Sequence, residues 1–91
     1  MGTAIVTIKI MPESPETDLE KLESESKSAI KKLALGDVNV DIQPVAFGLK
    51  SLNLSFSMNE DQGSPEDLEK ELGNLDGVNS VETVDVRRAV G

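Results

Sequence analysis

The sequence predicts an α+β fold whose strands and helices follow one another in the order βαββαβ. Four segments alternate apolar and polar residues with a period of two, which is typical of strands with one buried face. Two segments place apolar residues three and four positions apart, which is typical of amphipathic helices. Two strand–helix–strand units in this order predict a four-stranded antiparallel sheet with both helices on one face.

The first predicted strand covers Thr3 to Ile10, and Pro12 and Pro15 end it because proline lacks the N–H that a strand donates. One face of this strand carries Ala4, Val6, Ile8 and Ile10, and the other carries Ile5, Thr7 and Lys9. The more apolar face is expected to contact the helices.

A helix is predicted next, with Thr17 as its N-cap and Glu20 completing a capping box. Gly36 is expected to end it. Ser26 lies on the apolar side, where a small residue allows close approach to a sheet. The apolar stripe itself comprises Leu19, Leu22, Ala29, Ile30 and Leu33.

Two further strands follow, joined by the connection from Pro44 to Lys50. In the first, Val38, Val40 and Ile42 alternate with Asn39, Asp41 and Gln43; in the second, Leu52, Leu54, Phe56 and Met58 alternate with Ser51, Asn53, Ser55 and Ser57. The alternation predicts that one face of the sheet is solvated. Pro44 is expected at a sheet edge or bulge, because it cannot donate to a ladder.

A turn over Asn59-Glu60-Asp61-Gln62-Gly63 precedes the second predicted helix. Ser64 is its predicted N-cap and Pro65 its first helical residue. Its apolar stripe comprises Leu68, Leu72 and Leu75. Gly73 weakens the last turn by up to ~1 kcal/mol relative to alanine, and Gly77 is expected to end the helix.

The last predicted strand runs from about Val78 to Arg88. In a regular strand the side chains of Val84, Val86 and Val90 would lie on one face and that of Val81 on the other. A bulge or irregular entry is therefore expected near Ser80. The complete arrangement is ferredoxin-like, with residues 1–91 forming one predicted domain. The open face of the sheet is expected to carry Thr7, Lys9, Asn39, Asp41, Ser51, Asn53, Ser55, Ser57, Asp85 and Arg87.

The composition of the 91-residue chain excludes several kinds of site. It has no Cys, hence no disulfide or thiolate metal site, and no His, the commonest general base. A net charge of −8 disfavours nucleic acids and anionic membranes. It fits a basic protein partner, simple solubility or a salty cytoplasm. No signal peptide or membrane span is predicted at the start of the chain, so the cytoplasm is the expected location.

The residues also disfavour two activities known on this fold, and a calcium site. An RNA-recognition module needs aromatic residues on the open face, which here is polar and aliphatic. A phosphate-binding hydrolase needs a cationic loop after the first strand, whereas Pro12-Glu13-Ser14-Pro15-Glu16 repels phosphate. Asn59, Glu60 and Asp61 lack the spacing of a calcium loop, so a solvated turn is the preferred interpretation. No catalytic residue, metal ligand or cofactor is predicted.

Two features remain as candidates for function. Phe47 precedes Gly48 in the connection between strands, and the pattern by itself favours a core or lid position over a partner contact. Arg87 and Arg88 are the chain's only arginines, and strand geometry points them to opposite faces. A charge pair that protects a sheet edge is the simpler interpretation, and a contact to an anionic group on a partner is the other.

Four segments of the chain together carry a family resemblance. They are Ile8-Lys9-Ile10-Met11-Pro12-Glu13-Ser14-Pro15 with Thr17-Asp18-Leu19, Pro44-Val45-Ala46-Phe47-Gly48-Leu49-Lys50-Ser51-Leu52, Asn59-Glu60-Asp61, and Val84-Asp85-Val86. The second contains a Pro-x-x-aromatic-Gly-x-Lys run and is the most specific. Over essentially its whole length the chain resembles the archaeal translation elongation factor 1-beta family, the counterpart of the eukaryotic exchange domain.

This resemblance implies a guanine nucleotide exchange factor for elongation factor 1-alpha, the GTPase that carries aminoacyl-tRNA. It implies that Phe47 wedges against the GTPase, flanked by Gly48 and Lys50. Eukaryotic members end with a lysine that disturbs the partner's magnesium site, and this chain has none there. Either Arg87 or Arg88 takes that role, or magnesium is displaced in another way. The resemblance implies no enzyme chemistry, and the free protein is expected to be a monomer.

The alternative hypothesis is a small-ligand-sensing or assembly domain of the same fold. Such a domain predicts a tight homodimer whose melting temperature depends on ligand. A small hydrolase is disfavoured by the missing His, Cys and anion-binding loop.

Overall fold

The computed structural model describes residues 2–59, 61 and 65–89. Its elements are β1 (Thr3–Pro12), α1 (Leu19–Lys31), β2 (Asn39–Pro44), a short 3₁₀ turn (Ala46–Gly48), β3 (Lys50–Asn59), α2 (Pro65–Gly73) and β4 (Val78–Ala89). The four strands form one antiparallel sheet in the order β2-β3-β1-β4. The predicted ferredoxin-like α+β fold is confirmed.

The core lies between the two helices and one face of the sheet. Both predicted apolar faces of β1 and β3 are buried there, as are the principal apolar residues of the helices. The buried apolar set is Ala4, Val6, Ile8, Ile10, Leu22, Ala29, Ile30, Val38, Leu52, Leu54, Phe56, Met58, Leu68, Leu72 and Val78. Ser26 is fully buried in α1 among them, as its position on the apolar stripe predicts.

The solvated face of the sheet is also confirmed by the register. Thr7 pairs with Ser55, and their hydroxyl oxygens lie 3.1 Å apart. Ser51 is an exception within this face, because it is buried, with its hydroxyl donating to the carbonyl oxygen of Gln43 at 3.4 Å. The Asn53 side-chain amide also donates to this hydroxyl at 3.2 Å, so the buried oxygen has hydrogen-bond partners on the polar face.

β1 connects the two halves of the sheet, because it pairs with β3 on one side and β4 on the other. It runs two residues beyond the predicted end, with Pro12 as its last and fully buried residue. β2 pairs only with β3 and ends at Pro44. The prediction that Pro44 lies at a sheet edge is confirmed.

Both predicted ends of α1 are wrong. Asp18 is the N-cap, with its Oδ1 accepting from the Lys21 N–H at 3.2 Å, because the hydroxyl of Thr17 is used within the preceding turn. The helix ends at Lys31 rather than near Gly36. β2 pairs with β3 only as far as Ser55, so the edge of β3 from Phe56 onward is open to other residues. Residues 34 and 35 pair with this edge: Ala34 bridges Met58, and the Leu35 N–H donates to Ser57 O at 2.8 Å.

α2 begins at Pro65 as predicted and ends at Gly73, four residues before the predicted end. Hydrogen bonds that each span three residues close its last turn: the Asn74 N–H donates to Glu71 O and the Leu75 N–H to Leu72 O, at 3.2 Å each. Gly77 instead occupies the turn into β4, where its φ of 88° favours glycine. The predicted N-cap Ser64, the turn residues Glu60, Gln62 and Gly63, and Val90 lie outside the described residues.

β4 contains two register shifts against β1. One leaves Asn79 unpaired, which confirms the irregularity expected near Ser80. The other leaves Val84 unpaired. This second bulge places Val81 and Val86 on the same side of the sheet. Val81 pairs with Ile10 and Val86 with Val6, and Ile10 and Val6 face the helices.

The bulge at Val84 is held by a carboxylate of α2. Oε1 of Glu69 accepts from the Thr83 N–H at 2.9 Å and from the Thr83 hydroxyl at 3.1 Å.

Glu69→Ala should therefore lower the free energy of unfolding by about 1–3 kcal/mol, since it leaves a half-buried donor without its charged acceptor. Urea denaturation measures this loss. Lys70→Ala, an exposed change on the same helix, is the matched control and should alter stability by no more than about 0.5 kcal/mol. An equal effect of the two changes would contradict the role given to Glu69.

Candidate functional site

The connection between β2 and β3 is a closed hairpin that presents Phe47 to solvent. Its ends meet where Pro44 pairs with Lys50, and the Val45 N–H donates to Leu49 O at 2.8 Å. Phe47 is 93% exposed. The interpretation of Phe47 as a core or lid residue is therefore wrong.

Phe47 also has an unusual backbone conformation. Its φ is 63° and its ψ 30°, which makes it the one non-glycine residue with positive φ in the described part of the chain. A left-handed conformation costs an L-residue roughly 1–2 kcal/mol. Because the ring is exposed, its burial offsets almost none of this free-energy cost. Folding stability therefore does not explain why a phenylalanine stands at position 47.

Gly48 and Lys50 flank the aromatic residue, as the sequence indicates. Gly48 has a φ of 76°, so two consecutive residues of the connection, Phe47 and Gly48, have positive φ. Both Gly48 and Lys50 are exposed. They line a groove of about 100 Å³ on the side of the hairpin nearest the β1–α1 loop; its lining is Pro12, Ser14, Pro15, Leu19, Gly48 and Lys50.

Arg87 and Arg88 lie near the end of β4 and point to opposite faces, which confirms the expectation from strand geometry. Arg87 pairs with Ile5 on the open face, and its Nε lies 2.9 Å from Oδ2 of Asp85. Arg88 pairs with Ala4 and shares the helix-facing side. Both arginines are exposed, so the ion pair of Arg87 contributes little to stability and does not bury its charge.

The structure does not bring these two candidate groups together. Arg87 lies opposite Ile5, near the start of β1, whereas Leu52, two residues after Lys50, lies opposite Ile10. At ~3.3 Å per strand residue, the arginine pair and the hairpin are separated by roughly 20 Å along the sheet. The two groups therefore lie towards opposite ends of the sheet, as measured along its strands.

The described residues include no group of three or more His, Cys, Asp or Glu side chains that could hold a metal ion. No described helix combines the length and apolar character needed to cross a membrane. The Asn59 side chain accepts from the Asp61 N–H at 2.9 Å, which is a local turn contact. Glu60, the third residue of that candidate cation cluster, lies outside the described part.

Sequence reasoning did not predict that the β1–α1 loop lies near the hairpin, where both line one groove. A methyl group placed on Gly48 would lie 3.9 Å from both Cβ and Cγ of Pro15. The signal available in the sequence was Ser14-Pro15, a common start of a tight turn. Its proximity to Gly48 depends on strand pairing, which the local pattern does not contain.

Comparison with known proteins extends these observations. The family described as the EF-1 guanine nucleotide exchange domain matches residues 5–89. Among similar solved structures, BlrP1 BLUF matches the whole chain with a TM-score of 0.58 and 12% identity. The present chain spans 57% of that structure's chain. At this identity the likeness shows the fold alone.

Relatives named "Elongation factor 1-beta" match over nearly their full length. The protein of Methanothermobacter thermautotrophicus is 40% identical over 88 residues, which cover 97% of this chain and 98% of that protein. The protein of Methanocaldococcus jannaschii is 39% identical over 89 residues, covering 98% and 100% respectively. These matches confirm the resemblance seen in the sequence: the chain belongs to the EF-1 guanine nucleotide exchange domain family.

Proposed function

We propose that this protein, a guanine nucleotide exchange factor by its family, acts on elongation factor 1-alpha through contacts at both ends of its sheet. Phe47, Gly48 and Lys50 form one contact, and Arg87 or Arg88 forms the other. The observation that carries this proposal is the exposed aromatic ring of Phe47, held in a conformation that folding stability does not explain.

An exchange factor works by binding-energy differences. It binds the nucleotide-free GTPase more tightly than the GDP-bound form, and linkage requires it to weaken GDP binding by the same factor. Accelerating GDP release 10³-fold needs about 4 kcal/mol of preferential stabilisation of the release transition state. A few well-placed aromatic and arginine contacts supply energies of this size.

The two ends have different chemical roles in this proposal. Phe47 is a rigid apolar group that displaces a structural element of the GTPase, because its backbone is fixed by the closed hairpin. An arginine at the far end supplies a positive charge that competes with Mg²⁺ for the anionic groups around the nucleotide. A separation of roughly 20 Å lets the two contacts act on different parts of one partner.

This mechanism requires no covalent step by the protein itself. Without His or Cys the chain lacks the usual base and thiol nucleophile. We infer that residues 1–91 act as one exchange domain in the cytoplasm, as a monomer when free. The charge of −8 supports a protein partner with basic surface rather than a nucleic acid.

The test is release of a fluorescent GDP analogue from elongation factor 1-alpha. Catalytic amounts of the protein should accelerate release, and unchanged kinetics would end the proposal. Arg87→Ala and Arg88→Ala, measured separately, should identify the acting arginine by the larger loss of rate. A tight homodimer with a ligand-dependent melting temperature would instead support the sensing or assembly alternative.

A further inference from the structure

We infer that Glu69 is a positioning residue for the arginine contact, because the bulge that it holds in β4 sets the faces of the sheet on which Arg87 and Arg88 lie. This inference rests on the function proposed above, in which one of these arginines contacts the GTPase. An exchange factor that uses a single charge needs that charge on the face that meets its partner. In a strand, the register of pairing determines that face.

The bulge reverses the faces of the residues that follow it. Before the bulge, Thr83 pairs with Ile8, which is buried on the helix-facing side of the sheet. Asp85 is two residues further on, so in a regular strand it would share the face of Thr83. It pairs instead with Thr7, on the open face, because Val84 is an extra residue in β4.

The two arginines follow this shift. Arg87 pairs with Ile5 on the open face. Arg88 pairs with Ala4 on the helix-facing side. If the bulge were lost, the end of β4 would slip by one pair along β1, which would place Arg87 opposite Ala4. Each arginine would then lie on the other face. The bulge therefore determines which arginine the open face presents.

Glu69 supplies the contacts that favour the bulged register. An extra residue interrupts the ladder, so the backbone groups beside it need other hydrogen-bond partners. Oε1 of Glu69 accepts from both the N–H and the hydroxyl of Thr83, the residue immediately before Val84. Leu68 and Leu72, which precede and follow Glu69 in α2, are buried in the core. A well-anchored helix therefore delivers the carboxylate to the bulge.

Glu69→Ala should lower the rate of GDP release per folded molecule by about three- to tenfold at subsaturating factor, since hydrogen bonds to a charged group are large enough to shift a two-register equilibrium by this factor. Glu69→Gln should lose less, because its amide oxygen can still accept both hydrogen bonds. Lys70→Ala, an exposed change on the same helix, should leave the rate unaltered. Ile30→Val, a buried change in α1, controls for lowered stability and should also leave the rate per folded molecule unaltered.

Two further measurements separate positioning from a general structural role. Cross-strand nuclear Overhauser effects should join Arg87 to Ile5 in the wild-type protein. In Glu69→Ala they should also join Arg87 to Ala4. Deleting Val84 removes the extra residue and makes the ladder regular, with both arginines on their present faces. In that background Glu69→Ala should cause no further loss of rate.

A wild-type rate for Glu69→Ala, an unchanged register, or an equal further loss after deletion of Val84 would each overturn the inference. The register measurement needs no GTPase. If the wild-type protein failed to accelerate GDP release, the proposed function would fail, while the Overhauser effects would still show whether Glu69 fixes the register.

Discussion

Phe47→Ala is expected to lower the rate of GDP release from elongation factor 1-alpha by about 10- to 100-fold at subsaturating factor, while leaving the fold intact. The loss corresponds to about 1.4–2.7 kcal/mol, a usual value for truncating an aromatic anchor at an interface. The ring is 93% exposed in the free protein, so its removal sacrifices almost no burial. Fluorescent GDP release gives the rate, and urea denaturation gives the stability.

Leu35→Ala is the matched control for this change. Leu35 is another large exposed apolar residue, 55% exposed, and it lies beside Ser57, towards the end of the sheet that carries the arginines. Its truncation should leave the release rate near the wild-type value. Phe47→Ala with normal exchange would show that the aromatic contact is not used, and an equal loss in Leu35→Ala would show that the effect is not specific to Phe47.

Much of the fold could be predicted because it depends on local regularities. The alternation of Leu52, Leu54, Phe56 and Met58 with polar residues assigned β3 to one buried and one solvated face, and the structure agrees. β1 follows the same rule. Element order and right-handed crossovers then leave few topologies, so the two-layer arrangement follows from pattern alone.

The incorrect predictions concern features of the helices and strands that tertiary contacts determine. Thr17 and Asp18 are both good N-caps by composition, and the choice of Asp18 follows from the hydrogen bonds that Thr17 makes to Ser14. Helix α1 ends early because Ala34 and Leu35 pair with β3, a contact distant in sequence. The bulge at Val84 likewise depends on Glu69 of α2.

For the candidate site as well, local sequence predicts some features, whereas others depend on the tertiary structure. The motif around Phe47 could be found in the sequence, but its exposure could not, because a single large apolar residue in a connection is equally compatible with burial. That Arg87 and Arg88 lie far from the hairpin follows from strand register. Which arginine acts is decided by the partner, and the sequence of one chain contains no information on it.

The two proposed contacts are made by exposed residues, and Leu54→Ala tests whether they act independently of core packing. Leu54 is fully buried and lies between Ile8 of β1 and Val40 of β2. Its truncation should lower the free energy of unfolding by about 2–5 kcal/mol, a large part of the roughly 5–14 kcal/mol expected for a chain of this length. Ile42→Ala, on the exposed edge strand, is the matched control and should cost much less. Because Leu54 contacts no partner in this proposal, the exchange rate per folded molecule should stay unchanged at low temperature. A loss of rate without a loss of stability would mean that core packing also tunes the contacts at the two ends.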